Sequence, residues 1–132
     1  MPSGSCLCGA VTFSLDAPAE ATFTCFCLDC RKNSGHLGQA IAKMNTSDMK
    51  INDPESQLKE WTIAKTQSGY PKNKVFCGRC GCTMWTQPMK YNREKSMVRI
   101  TLLDDGVEKY LPKKVLFQEA KSSYLQTPCE FF

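Results

Sequence analysis

Nine cysteines, eight of them crowded into three short clusters, constrain this chain more than any other feature. The clusters are Cys6 with Cys8, then Cys25, Cys27 and Cys30, then Cys77, Cys80 and Cys82; Cys129 stands apart. An odd count excludes a fully paired disulfide framework within one chain. Cysteines used only as small core residues would be scattered rather than clustered. Clustered thiols are what a soft, tetrahedral cation such as zinc requires. A Cys-x-x-Cys turn brings two sulfurs to one ion while backbone N–H groups point at them, and Gly78 and Gly81 are placed to relieve that turn. Cys-x-Cys can share an ion by curling at its middle residue, and Gly9 follows Cys8 directly.

Each two-cysteine pair is half a site. Joining Cys6 and Cys8 to Cys77 and Cys80 makes a closed four-sulfur zinc site that supports folding. Cys25, Cys27 and Cys30 supply three ligands from one loop, which leaves a coordination position for water or substrate, the pattern of a catalytic zinc. Cys82 is a possible fourth ligand that would close this second site, and Cys129 reads as a bystander. Two zinc ions per chain are therefore expected.

The segments between the clusters read as short strands. Residues 11–15, 21–24, 39–44, 61–65, 74–77, 83–86, 97–102 and 114–117 are apolar or alternating, with turn signals such as Asp104-Asp105-Gly106 between them. One short helical turn is expected from about Leu28 to just before Gly35. Residues 45–58 read as a surface loop and 124–132 as a wandering tail. The expected class is mainly β, antiparallel, with little helix. At 132 residues, 42% hydrophobic and 23% charged, one domain spanning residues 1–132 is expected.

The formal net charge of +4 shrinks once metal is counted. A four-thiolate zinc carries −2 and a three-thiolate zinc −1, leaving +1, so bulk charge gives no case for nucleic acid. Lys72, Lys74, Lys113 and Lys114 then read as solvated surface. No apolar run approaches the roughly 20 residues a bilayer needs, so no membrane contact is expected. Residues 1–5 lack the basic and apolar regions of a secretory leader, and the expected compartment is the cytoplasm.

Three linked motifs resemble one known family. Cys-x-Cys-Gly-x-Val-x-Phe from Cys6, Cys-x-Cys-x-x-Cys-Arg-Lys from Cys25 with Gly35 beyond, and Phe-Cys-x-x-Cys-Gly from Phe76 are similar to the glutathione-dependent formaldehyde-activating family, which shares its domain with centromere protein V. Thr101-Leu102-Leu103-Asp104-Asp105 is similar to a Thr-Leu-Asp-Asp stretch common in that family. The resemblance implies a β-tent-like fold with two zinc sites, the structural one on Cys6, Cys8, Cys77 and Cys80 and the second on Cys25, Cys27 and Cys30. It also implies condensation of formaldehyde with glutathione to S-hydroxymethylglutathione, a carbon–sulfur lyase chemistry. Two positions depart from the pattern: Phe26 stands where His or Asn is common, and Cys82 where Ser or Thr is common.

The expected function is thus a zinc-dependent carbon–sulfur lyase acting on a thiol or glutathione adduct, with a specialised-pathway substrate allowed. A non-catalytic zinc module that mediates protein interaction is the alternative. His36, the single histidine, is a candidate proton relay or else a surface imidazole. Arg31 and Lys32 adjoin the thiolates and are candidates to bind a substrate carboxylate or balance charge, while Phe26 and Trp85 are candidate pocket walls or core.

Overall fold

A computed structural model describes residues 2–126. Ten strands occur in the order β1 (Ser3–Ser5), β2 (Thr12–Leu15), β3 (Ala21–Cys25), β4 (Gln39–Asn45), β5 (Met49–Asn52), β6 (Leu58–Ile63), β7 (Lys72–Cys77), β8 (Thr83–Pro88), β9 (Lys95–Arg99) and β10 (Lys114–Leu116). The helix α1 (Leu28–Ser34) follows β3, and a single turn, α2 (Gly106–Lys109), follows β9. The strands make two sheets: β1-β2-β5, and a seven-stranded sheet ordered β10-β3-β4-β9-β8-β7-β6. The mainly β, antiparallel class read from the sequence is the one that forms.

Strand alternation explains the layering. Phe13 and Leu15 of β2 and Met49 of β5 turn toward Ala42 and Met44 of β4, Val75 of β7, Met84 and Trp85 of β8 and Val98 of β9, and these side chains form the main core. The intervening positions, Ile41 on β4 and Met97 on β9, pack instead with Phe23, Cys25, Cys27, Cys30 and Phe117 in a second cluster. Period-two geometry puts that cluster on the other face of the large sheet. The second group of cysteines therefore sits across the sheet from the main core.

Three elements differ from the sequence reading or were missed by it. Residues 45–58 are only partly loop: a 3₁₀ turn at Thr46–Asp48 leads into β5, whose partner is β2 in register Phe13 with Ile51 and Leu15 with Met49. Met49 was the one buried residue of that strand and gave no alternation to detect. β1 is likewise invisible in a polar Ser-Gly-Ser run; it forms because it pairs with β2. The third is β10, which runs parallel to β3 rather than antiparallel. Of the tail, Ser123–Gln126 is a 3₁₀ turn, and Cys129 lies outside the described residues.

Trp85 is 2% exposed and meets Phe13 edge-on, with ring centroids 5.5 Å apart at 74°. Truncation to alanine should therefore act on stability, at about 3–5 kcal/mol. Chemical denaturation of Trp85→Ala measures this directly, and a midpoint unchanged from the native chain would contradict the core role.

Candidate metal centre

The first cluster assembles as the spacing requires. The Cys6, Cys8, Cys77 and Cys80 sulfurs all lie within 4.8 Å of one another. Cys6 Sγ is 3.6 Å from Cys8 Sγ, which is 3.8 Å from Cys77 Sγ. A tetrahedron with metal–sulfur bonds of about 2.3 Å has edges of about 3.8 Å, so the donor set fits zinc. Both turns depend on glycine: Gly9 has φ 79° and Gly81 φ 76°, a region that costs a side chain strain. The Gly9 N–H donates to the Cys6 carbonyl and the Gly81 N–H to that of Cys77. The Val11 N–H points at Cys6 Sγ from 3.4 Å. Burial would raise the Cys6 thiol, and the hydrogen bonds from Val11, Cys8 and Cys77 outweigh it and leave it low. Cys80 is lowered to about 6, against its own desolvation, by the backbone N–H groups of Cys82 and Cys8 and by neighbouring thiols.

Cys82 stands beside this cluster. The charged groups that act on its thiol are Cys80, Cys6 and Cys77, and burial raises it. It does not join the three sulfurs of the second cluster, which among the described residues keeps three cysteine donors.

Those three, Cys25, Cys27 and Cys30, also lie within 4.8 Å of one another, and all are buried. Cys25 ends β3. Cys27 caps α1: its backbone is extended (φ −64°, ψ 162°) and its sulfur accepts from the Cys30 N–H at 3.4 Å. Gly35 in the left-handed conformation ends the helix, as its position in sequence indicated. The sulfurs thus sit at the amino end of a helical turn, where backbone N–H groups favour thiolate. Hydrogen bonds from Cys25 and Cys30, with Lys72 nearby, hold Cys27 far below the usual thiol value. Cys30 is pushed strongly upward by Cys25 and Cys27. Three sulfurs this close and this buried ionise together only around a cation, and their chemistry fits a soft one.

A cavity of about 630 Å³ opens over these sulfurs. Lys43, Lys65, Lys72, Lys90, Lys114 and Arg99 line it, against one carboxylate, Asp29, which pairs with Lys72 at 3.2 Å. Tyr91 also faces it, with its hydroxyl 3.3 Å from Lys43 Nζ, and that hydrogen bond lowers the phenol below its ordinary value. Lys72 and Lys114 had read as solvated surface; strands β7 and β10 carry them to this rim.

The remaining candidates fall elsewhere. Phe26 and His36 line a neighbouring cavity of about 620 Å³, together with Cys82 and Gln39. His36 is exposed, and its Nδ1 accepts from the Leu37 N–H at 2.6 Å. Phe26 is buried, with Lys121 Nζ 5.8 Å from its ring centroid. Arg31 is half-buried on α1, with an Nε that meets no acceptor, and Lys32 is exposed. Trp85 belongs to the main core.

Sequence reasoning missed Arg99. It is 6% exposed and lines both cavities. Its Nη1 donates to the Met97 carbonyl at 2.6 Å and its Nη2 to Thr86 Oγ1 at 2.7 Å. Burial lowers the guanidinium to about 10, and the charges opposing that come from Cys30, Cys25 and Cys27. The available signal was positional: Arg99 is two residues from Met97 and so shares its face of the strand.

A Halomonas elongata protein, provisionally named a glutathione-dependent formaldehyde-activating enzyme, is 31% identical over 83 residues, covering 62% of this chain and 53% of the relative. The chain thus matches about half the length of that curated relative. A crystal structure of a Rhodobacter sphaeroides protein superposes with TM-score 0.58 at 24% identity, covering 77% of this chain and 87% of the other, a likeness of fold. The family profile described as glutathione-dependent formaldehyde-activating enzyme matches residues 1–120, both cysteine clusters included. The chain belongs to that family.

Proposed function

We propose that the chain binds two zinc ions, one on each cysteine cluster, and makes or breaks a carbon–sulfur bond at the second. The substrate class is an anionic thiol, or its adduct with a small carbonyl compound, of which glutathione and S-hydroxymethylglutathione are the type. The observation that carries this reading is the pairing of three buried sulfurs with a cavity whose charged lining is six cations against one carboxylate. Four-sulfur closure suits the first site to scaffolding. The second keeps a position toward the cavity.

Zinc at the second site supplies a seat where a thiol ionises near neutral pH. The rim lysines hold substrate carboxylates and so fix the sulfur over the cluster, which lowers the entropy cost of reaction. In the condensing direction the thiolate sulfur bonds to the carbonyl carbon, the C=O π pair moves to oxygen, and that oxygen takes up a proton. Tyr91, with Lys43 beside it, is a group lining the cavity that can give that proton, and the reverse reaction returns it.

The test is cobalt substitution followed by absorption while glutathione is added. Thiol-dependent change in the ligand-field bands supports an open, thiol-binding site. Bands indifferent to glutathione would overturn the reading and leave a non-catalytic zinc module. A second expectation concerns charge. Lys65→Glu with Lys114→Glu should raise KM for glutathione about threefold to thirtyfold, with less effect on a neutral thiol and at high salt. Steady-state kinetics with both thiols measures it.

A further inference from the structure

We infer that Arg99 is the fixed counter-charge of the three-cysteine site, holding metal there by neutralising the cluster from the wall of the cavity they share. This rests on the second cluster being a metal site, as proposed above.

Three thiolates and a divalent ion leave one net negative charge. In a buried pocket an uncompensated charge is costly, and proteins answer it with a partner. The rim lysines are poor candidates. Lys72 already pairs with Asp29, and Lys43 with Glu20 at 3.1 Å. Lys90 and Lys114 are exposed, where water screens them. Arg99 differs in each respect. It is nine-tenths buried, and it has no carboxylate among its hydrogen-bond partners, only a carbonyl and a hydroxyl. Its Nε meets no acceptor.

A buried guanidinium with no anion would itself be a costly arrangement. The three cysteines share its cavity and are the anionic groups that act on it. The two oddities therefore explain each other: a cluster one charge too negative, and an arginine one charge too positive. Ile41 pairs with Arg99 across the strands, and Thr86 with Met97, so the sheet sets where the guanidinium lies. Arg99 also lines the neighbouring cavity, which places it in the wall between the two. It acts through the cluster as a positioning residue and need not touch substrate.

The experiment compares Arg99→Gln and Arg99→Lys with the native chain, loading each with cobalt and measuring metal per chain and affinity by chelator competition. The first, four-cysteine site serves as an internal reporter of folding. Arg99→Gln keeps hydrogen-bond donors and drops the charge. It should bind the second cobalt about 10-fold to 100-fold more weakly, with the first site unchanged. Arg99→Lys, which keeps the charge, should stay within about threefold of native. Native-like affinity in Arg99→Gln would overturn the inference, as would an equal loss in both variants. Loss of both metals together in either variant would assign Arg99 to folding and overturn it too. A native chain that takes up only one metal would remove the second site itself, and this inference with it.

Discussion

Cys77→Ser should not reach the native state under ordinary conditions. Cys77 is fully buried at the end of β7, and it is one of four sulfurs drawn together from the start and the middle of the described chain. Structural zinc contributes about 10–16 kcal/mol in small zinc-binding peptides near neutral pH. Whole domains are stable by only about 5–15 kcal/mol. Losing a ligand thus removes a sum comparable to the entire stability. Burying a serine hydroxyl in place of a thiol costs only about 1–3 kcal/mol by itself. The two explanations are separable by size. Near-ultraviolet circular dichroism and thermal melting of Cys77→Ser should show loss of the cooperative transition, and a strong chelator should do the same to the native chain. A variant that melts within a few degrees of native would mean that the four sulfurs add only their packing.

Cys27→Ser should do the opposite, sparing the fold and removing the chemistry. Cys27 is the cap of α1, and serine is among the best residues at such a cap. The hydroxyl can accept from the Cys30 N–H as the sulfur does. It is a poor soft ligand, so the second cluster drops to two sulfurs. Turnover of formaldehyde with glutathione, followed by exchange NMR, should fall by at least about 100-fold. The first metal and the melting temperature should be nearly unchanged. Cys27→Ala sharpens the contrast: it loses the ligand and also the cap, at about 1 kcal/mol. Full turnover in Cys27→Ser would remove the second cluster from catalysis.

Most of the first site was legible because its geometry is local. Cys-x-Cys followed by Gly9 and Cys-x-x-Cys followed by Gly81 dictate their own turns, and only their meeting is long-range. The second cluster was legible for the same reason, being confined to one β-to-α turn. Strands with clear alternation, such as β2 and β9, were also readable. β1 and β5 were not, since each is recruited by pairing with β2 rather than by its own pattern. The walls of the cavity were the least visible part. Lys43, Lys72, Lys90 and Lys114 come from strands or turns far apart in the chain, and nothing local marks a lysine as lining a cavity rather than facing water. Trp85 shows the converse, since an aromatic near a cluster in sequence lies in the core in space. Phe26 and His36 neighbour the second cluster in sequence, yet line a different cavity.

The four-sulfur site also has a consequence for the order of assembly. Cys8 and Cys77 are 69 positions apart, and the whole of the second cluster lies inside the loop they close. During synthesis the second cluster is complete once Cys30 has emerged, while the first must wait for Cys80. A local trio needs little chain ordering to gather, whereas closing a loop this long carries an entropic cost that grows with the logarithm of its length. On the two-metal reading proposed above, the second site would collect its ion on an unfinished chain, and the first would be the clasp that shuts the fold around it. On that reading, stripping metal from the finished protein should reverse this: opening the clasp would free the loop and everything it encloses, so the metal bound first would depend on the metal bound last.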